Sequence, residues 1–450
     1  MANHSYDVVV IGGGNGGMGV TVPTRHAGLK VALLEPAELG GTCSNRGCTP
    51  KKVLVAAAHA LDTIARADAH HIAVGPARLD WAALIDREKQ LIADIPATLA
   101  AAMEKRGVHL VRAHGHFVTP NAVKAGSNIY EAGHIVIATG SHPRPLAFPG
   151  AALAITSDDV LSQRSQPRDV VFIGGGVIAF EFAHVYARAG TKVTILQAGG
   201  RFLPRHDADA VQQVVDETRR LGIDLRASVE VKAIAEVGDR LRVIFEEDGM
   251  ERTVEAERVV NGAGRIANTE GLDLDSGAVA VEHGHLAHDD HLRSTSNKAV
   301  WVVGDALSDT PQLSPLATYE GRIVGHNIVD GPKHRPDYAA IPYCLYTIPA
   351  LAGVGLTEED ARDRGLDVHV AVNDMRQWLS GRTFAEPVAW AKVISERGSG
   401  RILGAHIVGH GGEELIHVFA LAMRHGITTA DFGDMVYAFP TFAADLRHMM

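Results

Sequence analysis

The amino-acid sequence predicts an α/β protein with two doubly wound, Rossmann-type domains and a third domain at its C-terminal end. Three observations carry this expectation. The segment Asp7–Glu35 is echoed by Asp169–Gln197, a late apolar strand stops at Gly304-Asp305, and the composition changes after Asp330-Gly331-Pro332-Lys333, so that a third domain starts near His334. The 450 residues suffice for about three domains of roughly 100 to 200 residues each.

In the first copy of the repeat, Val8–Ile11 reads as a buried strand and leads into Gly12-Gly13-Gly14-Asn15-Gly16-Gly17. A helix follows, then Val31–Leu34, which ends at Glu35. The second copy runs from Val170–Ile173 through Gly174-Gly175-Gly176-Val177-Ile178-Ala179 to Val193–Leu196 and Gln197. Each copy is a complete βαβ unit of the dinucleotide-binding type. Glycine lets the backbone approach a pyrophosphate, and the helix N-terminus behind it presents free N–H groups and partial positive charge. Gly12, Gly14, Asn15, Gly16 and Gly17 are therefore candidate ligands in the first copy, and Gly174, Gly176, Val177 and Ile178 in the second. Glu35 is placed to accept hydrogen bonds from an unphosphorylated ribose, which fits the adenosine of FAD. Gln197 is neutral at the matching position, so a 2′-phosphate is not repelled there, and Arg201 and Arg205 follow within reach. This pattern favours NADPH over NADH, although both arginines also read as solvated loop residues.

Farther along, Ile135–Ala138 is a strand that stops at Thr139-Gly140, and Pro143-Arg144-Pro145 with Phe148-Pro149-Gly150 forms a linker. Ala299–Val303 is the strand ending at Gly304-Asp305, where Asp305 is a candidate for a second part of the same cofactor. In the third domain, Arg401–Val408 reads as a strand and Glu413–Arg424 as a helix ending at Gly426.

Composition excludes several classes. Forty-three basic residues against 53 acidic ones give a formal charge of −10, with no dense Lys/Arg stripe to track a phosphate backbone, so nucleic acid is not an expected partner. The N-terminus runs directly into a buried strand rather than a secretory signal, and no apolar run approaches the roughly 20 residues that span a bilayer. A cytoplasmic location without membrane attachment is the expectation. Three cysteines are too few for a structural disulfide framework, which leaves catalysis or metal binding for a close pair. Cys344 stands alone and reads as a buried core residue.

The close pair is Cys43 and Cys48, in the stretch Gly40–Lys52 that reads GGTCSNRGCTPKK. Pro50 and the apolar-rich 53–65 predict a helix beginning just after Cys48, and a helix N-terminus lowers a thiol pKa. Zinc is the competing use, but there is no second Cys pair and no histidine at ligand spacing. This segment, with Ala138-Thr139-Gly140, Gly262-Ala263-Gly264-Arg265, Asn268-Thr269, Val303-Gly304-Asp305 and Val354–Glu358, resembles the flavoprotein disulfide reductases, the group of glutathione reductase, dihydrolipoamide dehydrogenase and mercuric reductase. The resemblance covers essentially the whole chain, and Arg46-Gly47-Cys48 with Pro50-Lys51-Lys52 is most similar to the glutathione reductase branch.

The resemblance implies a homodimer with FAD-binding segments at 1–148 and 268–333, an NAD(P)-binding domain at 149–267 and an α+β dimerisation domain at 334–450. It also implies flavin and nucleotide contacts at Gly41, Thr42, Lys52, Thr139, Gly140, Gly264, Arg265, Gly304 and Asp305. Cys48 is then the sulfur against the flavin and Cys43 the one that attacks substrate, with Lys52 and Glu181 paired near the reactive edge of the flavin. Val177 stands where many relatives carry a tyrosine over the nicotinamide pocket.

One element of the pattern is missing. The family has histidine before Pro-Thr near its end and glutamate five positions after the histidine, a dyad that serves the thiols of the partner subunit. Here the line is Tyr437-Ala438-Phe439-Pro440-Thr441-Phe442-Ala443-Ala444-Asp445, so Phe439 and Ala444 replace both members. General acid–base catalysis is worth about 10² to 10⁴ in rate, or roughly 3 to 5 kcal/mol. Three explanations follow: a substrate with a low-pKa leaving thiol, a substitute proton source among Asp445, Tyr437 and His448, or an acceptor that needs no proton. The expectation is an NADPH-dependent FAD enzyme that reduces a small disulfide other than ordinary glutathione disulfide. The alternatives are a flavin reductase for quinones, metal ions or oxygen, a relative of the proton-excluding carboxylating member, and a non-enzymatic flavin sensor.

Overall fold

The computed structural model describes residues 3–450. They fall into two compact units. The first comprises the described residues up to Lys52, with Ile85–Arg144 and Arg265–Asp337; the second comprises Val53–Leu84, Pro145–Gly264 and Tyr338–Met450.

The first unit is built on a seven-stranded sheet. Its parallel part runs in the order His109–Val111, Val31–Leu34, Asn3–Ile11, Asn128–Ile137 and Val300–Val302. Val10 pairs with Leu33 on one side and Val136 on the other, and Val136 pairs in turn with Trp301. Helices cover such a sheet on both faces, so its central strands are apolar without alternation, and Val8, Val9, Val10, Ile135, Val136 and Ile137 are all fully buried. The first half of Asn128–Ile137 instead pairs with an antiparallel extension made of Gly115–Thr119 and Ala122–Ala125.

Two helices of this unit, Asn15–His26 and Ser314–Asp330, meet backbone to backbone. A Cβ at Gly321 would lie 2.2 Å from the carbonyl oxygen of Gly16, and one at Gly19 would lie 2.7 Å from that of Thr318. Glycine at these points is what permits the crossing.

The second unit repeats the parallel arrangement in a four-stranded sheet ordered Asp224–Arg226, Lys192–Leu196, Asp169–Ile173 and Arg258–Asn261. An antiparallel sheet of three strands, Glu230–Val237, Arg240–Glu247 and Met250–Ala256, packs its apolar residues into the same core. The chain's last part forms a five-stranded antiparallel sheet in the order Tyr343–Leu345, Leu351–Gly355, Ile402–Val408, Trp390–Glu396 and Val368–Asp374. The helix Gly412–His425 lies on it with Ile416, Phe419 and Ala422 inward, and it ends at Gly426 in the left-handed conformation, as its sequence predicts. Cys344 departs from expectation: it is only partly buried, because Tyr343–Leu345 is the edge strand of this sheet, and its Sγ lies 3.9 Å from the carbonyl oxygen of Glu413. No helix among the described residues is long and apolar enough to cross a membrane.

A buried ion cluster ties this sheet to the helix Ala208–Arg220 of the same unit. The Nζ of Lys392, whose side chain is 2% exposed, lies 2.6 Å from Asp209, 2.8 Å from Glu358 and 3.1 Å from Asp207. Burial lowers the lysine pKa, but the three carboxylates outweigh it and hold the group above its ordinary value. Removing the cation strands Asp207, itself 2% exposed, without its counter-charge. Lys392→Met is therefore expected to lower unfolding stability by about 3 kcal/mol. Denaturant unfolding of the variant beside the wild type measures this, and an unchanged midpoint would show that the cluster is energetically neutral.

Candidate active site

The site begins at the first glycine turn. Gly12 has φ +116°, and a Cβ there would lie 2.2 Å from the carbonyl oxygen of Ala138. Gly174 repeats the arrangement in the second unit, with φ +103° and a would-be contact of 2.3 Å to Gly262. In the first turn Glu35 accepts the N–H of Gly13 through Oε2 at 2.7 Å and that of Ala37 through Oε1 at 2.9 Å. In the second, Gln197 accepts the N–H of Gly175 through Oε1 at 2.7 Å and donates its amide to Arg201 O at 3.2 Å. The amide thus replaces the carboxylate in the turn's hydrogen bond while removing its charge. Arg201 is engaged with Glu359 at 3.0 Å, both side chains being exposed, and Arg205 is exposed. Val177 is 39% exposed at the first position of the helix Val177–Arg188.

Two helices start at the first turn. Asn15–His26 follows Gly14 and Gly41–Arg46 follows Gly40, and neither has a side-chain cap. Gly40 donates to Gly13 O at 2.9 Å, and a Cβ on Gly41 would stand 3.0 Å from the Cα of Gly14. Two uncapped helix starts beside a cradle that side chains would fill suit the pyrophosphate of a dinucleotide. The residues present therefore fit FAD.

Around the same unit, Thr139 and Asn268 are cross-linked: Thr139 Oγ1 donates to Asn268 O at 2.6 Å, and Asn268 Nδ2 donates to Thr139 O at 2.9 Å. Ser141 donates to Asp305 Oδ2 at 2.7 Å and receives Arg265 Nε at 2.9 Å. Arg265 therefore holds the strand pair Ser141–Pro143 and Arg265–Ala267 next to Asp305. Buried Glu320 accepts the N–H of Gly304 at 2.8 Å. Sequence motifs flagged Thr139, Gly140, Gly264, Arg265, Gly304 and Asp305, but Ser141 and Glu320, which orient them, carry no local signal.

Cys43 lies in the helix Gly41–Arg46, and Cys48 is the first residue of the helix Cys48–Ala65; the structure holds them as separate thiols. Cys48 is exposed, whereas Cys43 is partly buried. The thiol of Cys43 is pulled down to about 6, mainly by a hydrogen bond from Cys48, with further bonds from Ser314, Asn15 and Thr49 outweighing the effect of burial. Asn15 Nδ2 also donates to the Ser314 side chain. A thiolate thus stands ready at neutral pH. Lys52 follows on the same helix, in the first unit. Glu181, 3% exposed in the second, accepts the N–H of Tyr346 at 2.9 Å.

In the terminal segment Phe439 is 70% exposed and Ala444 is buried. Of the substitute proton sources named above, Tyr437 donates its hydroxyl to Phe432 O at 3.0 Å, Asp445 accepts from Ser380, and exposed His448 stands edge-on to Trp378.

Residues 6–321 match the family model of the pyridine nucleotide-disulphide oxidoreductases, and residues 341–450 match that family's dimerisation domain. The chain belongs to this family. It is 32% identical to a dihydrolipoyl dehydrogenase of Chlamydia muridarum (strain MoPn / Nigg), with 98% of this chain and 95% of the relative covered. It is also 32% identical to a glutathione reductase of Burkholderia cepacia, covering 99% and 98%. A solved structure, the Cu(II) complex of the HOCl-induced flavoprotein disulfide reductase RclA from Escherichia coli, superposes with a TM-score of 0.88 at 25% identity over 99% of each chain. Members of this oxidoreductase family bind FAD and use NAD(P)H, and the dimerisation domain supports a homodimer.

For a pyridine nucleotide-disulphide oxidoreductase the state of the Cys43 thiol is measurable. In the reduced protein, alkylation of Cys43 by iodoacetamide is expected to rise with pH through a midpoint near 6, since only the thiolate reacts. Ser314→Ala removes one hydrogen bond to that thiolate and is expected to raise the midpoint by about one unit. A midpoint near 8.5 in the wild type would mean that the surrounding donors do not act on Cys43.

Proposed function

We propose that the chain is an FAD-dependent NADPH:disulfide oxidoreductase that passes electrons through Cys43 and Cys48 to a small disulfide. The observation that carries this reading is the placement of Cys43 and Cys48 at the starts of two successive helices, within the unit that contains the uncapped glycine turn. In its finer form the reading assigns FAD to 1–148 and 268–333, the nicotinamide nucleotide to 149–267, and the dimer interface to 334–450, in a cytoplasmic enzyme.

When bound, FAD supplies hydride acceptance from the nicotinamide and two-electron reduction of the cysteine pair. The protein's part is to bind, orient and exchange. The first glycine turn takes the FAD pyrophosphate, and Glu35 takes the adenosine ribose. Gln197 tolerates a 2′-phosphate because it fulfils the turn's hydrogen bond without charge. Lys52 and Glu181 serve the reactive edge of the flavin. In the reduced pair, the Cys43 thiolate attacks one sulfur of the substrate, forming a mixed disulfide and expelling one thiolate. Cys48 then attacks the Cys43 sulfur, which closes the protein disulfide and expels the second.

A second reading is reduction of a metal ion without attack by Cys43, the cysteine pair serving only as a dispensable electron store. Two observations favour it: the solved relative RclA was obtained as a Cu(II) complex, and Phe439 and Ala444 leave the usual proton dyad empty.

In anaerobic titration of the FAD-loaded protein, the first equivalent of NADPH is expected to raise a long-wavelength thiolate–flavin band, its two electrons residing on the cysteine pair, and a second equivalent to bleach it, four electrons per chain in all. Bleaching of the flavin by the first equivalent, without that band, would remove the cysteine pair from the pathway. Steady-state assays of Cys43→Ser separate the two readings: loss of disulfide turnover supports the first, and retained Cu(II) reduction supports the second. Gln197→Glu is expected to cut the NADPH-to-NADH preference in kcat/KM at least tenfold, about 1.4 kcal/mol. An unaltered ratio would place discrimination elsewhere.

A further inference from the structure

The missing dyad left the proton source open, and the C-terminal part of the second unit contains another histidine paired with a buried carboxylate. His410 immediately precedes the helix Gly412–His425 by way of Gly411. Its Nδ1 lies 3.3 Å from Oε1 of Glu386, whose side chain is 6% exposed, while His410 itself is 49% exposed. The other oxygen of Glu386 faces Arg66 Nη1 at 3.5 Å. The imidazole is held in a cluster of three rings, 4.6 Å from Phe442 at an interplanar angle of 18° and 5.4 Å from Phe384 at 24°. Phe442 and Phe384 also touch each other, with centroids 5.1 Å apart.

This geometry fixes the chemistry of the ring. A carboxylate on Nδ1 orients the imidazole and selects its tautomer, so Nε2 is the nitrogen that exchanges protons. Nε2 makes no hydrogen bond with any described residue, and the half-exposed ring reaches solvent. The groups facing the ring have opposing effects: the hydrogen bond to Glu386 raises its pKa, burial lowers it, the charges of Glu386 and Glu413 raise it, and Arg66 lowers it. The net shift is upward, which favours the protonated ring. Asp445 and Ser380 line the same small cleft as His410 and are hydrogen-bonded to each other.

The position in the chain matters as much. Phe442 lies three residues beyond Phe439, so His410 is packed against the very turn that in relatives carries the catalytic base. The dimerisation domain that holds this turn is the part through which two copies associate.

We propose that His410, positioned by Glu386, is the proton carrier that replaces the lost dyad and serves the Cys43–Cys48 pair of a second copy of this chain. The proposal rests on the disulfide-reductase reading above. In the step concerned, the Cys43 thiolate forms a bond to one sulfur of RSSR and the S–S bond breaks. The departing RS⁻ takes the proton from Nε2 of His410 and leaves as RSH. Cys48 then displaces the second RS⁻, which is protonated after His410 has regained a proton from solvent. The cysteine pair is oxidised by two electrons, and the substrate is reduced by two to 2 RSH. The donor of those electrons to the cysteine pair is NADPH, through the flavin.

The test uses the FAD-loaded full-length dimer with two probes, hydroxyethyl disulfide, whose alkyl thiol departs poorly without a proton, and dithiobis(nitrobenzoate), whose aromatic thiolate departs unaided. In H410Q the ratio of alkyl to aromatic turnover is expected to fall about 10²-fold or more. Wild-type turnover of hydroxyethyl disulfide should fall as pH rises through the imidazole pKa, since only the protonated ring donates. E386Q should move that falling limb to lower pH, and H410Q should abolish it. Flavin content and dimer elution establish that each variant is folded. An unchanged ratio in folded H410Q overturns the role of His410 while leaving the disulfide reading intact. Wild-type protein that reduces only the aromatic probe also overturns it, because no general acid is then at work. Wild-type protein that reduces neither probe overturns the disulfide reading itself, before any variant is made.

Discussion

The contact on which the first unit depends is the crossing of the helices Asn15–His26 and Ser314–Asp330 at glycine. With no Cβ at Gly321 or Gly19, the two backbones approach until carbonyl oxygens occupy the space that side chains would take. The consequence reaches the chemistry, because Asn15 and Ser314 are the first residues of these helices and lie 299 positions apart in sequence. Their side chains meet and both lower the pKa of Cys43. A larger residue at the crossing would push the helix starts apart and withdraw two donors from the thiolate without touching either cysteine. The strain would be felt as reactivity as well as stability.

Much of the fold was legible because it is written locally. The two βαβ copies announce themselves through a glycine turn bounded by apolar strands, and the buried strands carry the continuous Val/Ile/Leu runs that a doubly covered parallel sheet requires. The helix before Gly426 was readable from its apolar spacing and its stop signal. The cysteine pair was legible from spacing alone. Other polar contacts of the first unit were not: Ser314 and Ser141 act through contacts over long sequence separations, and nothing in their local sequence distinguishes them from ordinary polar residues. Arg201 read either as a partner for a 2′-phosphate or as a solvated loop residue, and the residue it pairs with, Glu359, lies 158 positions away. Cys344, which read as a buried core residue, is only partly buried, and nothing in its local sequence shows that it lies on an edge strand.

The terminal segment shows a different limit. Loss of histidine and glutamate at Phe439 and Ala444 was visible by comparison with a pattern, and it directed attention to neighbouring residues in the chain. In the structure those neighbours have other partners: Tyr437 is tied to a backbone carbonyl and Asp445 to Ser380. The histidine packed against this turn comes instead from residue 410, and its carboxylate from residue 386. Proximity in sequence was a poor guide to proximity in space, which is the usual situation where loops from separate strands converge on one site.

Glu35 and Gln197 perform one structural task with two chemistries. Each closes its glycine turn by accepting one of that turn's N–H groups at 2.7 Å, a geometry that a carboxylate oxygen and an amide oxygen both provide. Closure of the turn and the charge beside it are thereby decoupled at one position. A lineage can exchange an acid for its amide there without passing through a misfolded intermediate. The charge at such a turn is free to change while the hydrogen bond that closes it stays.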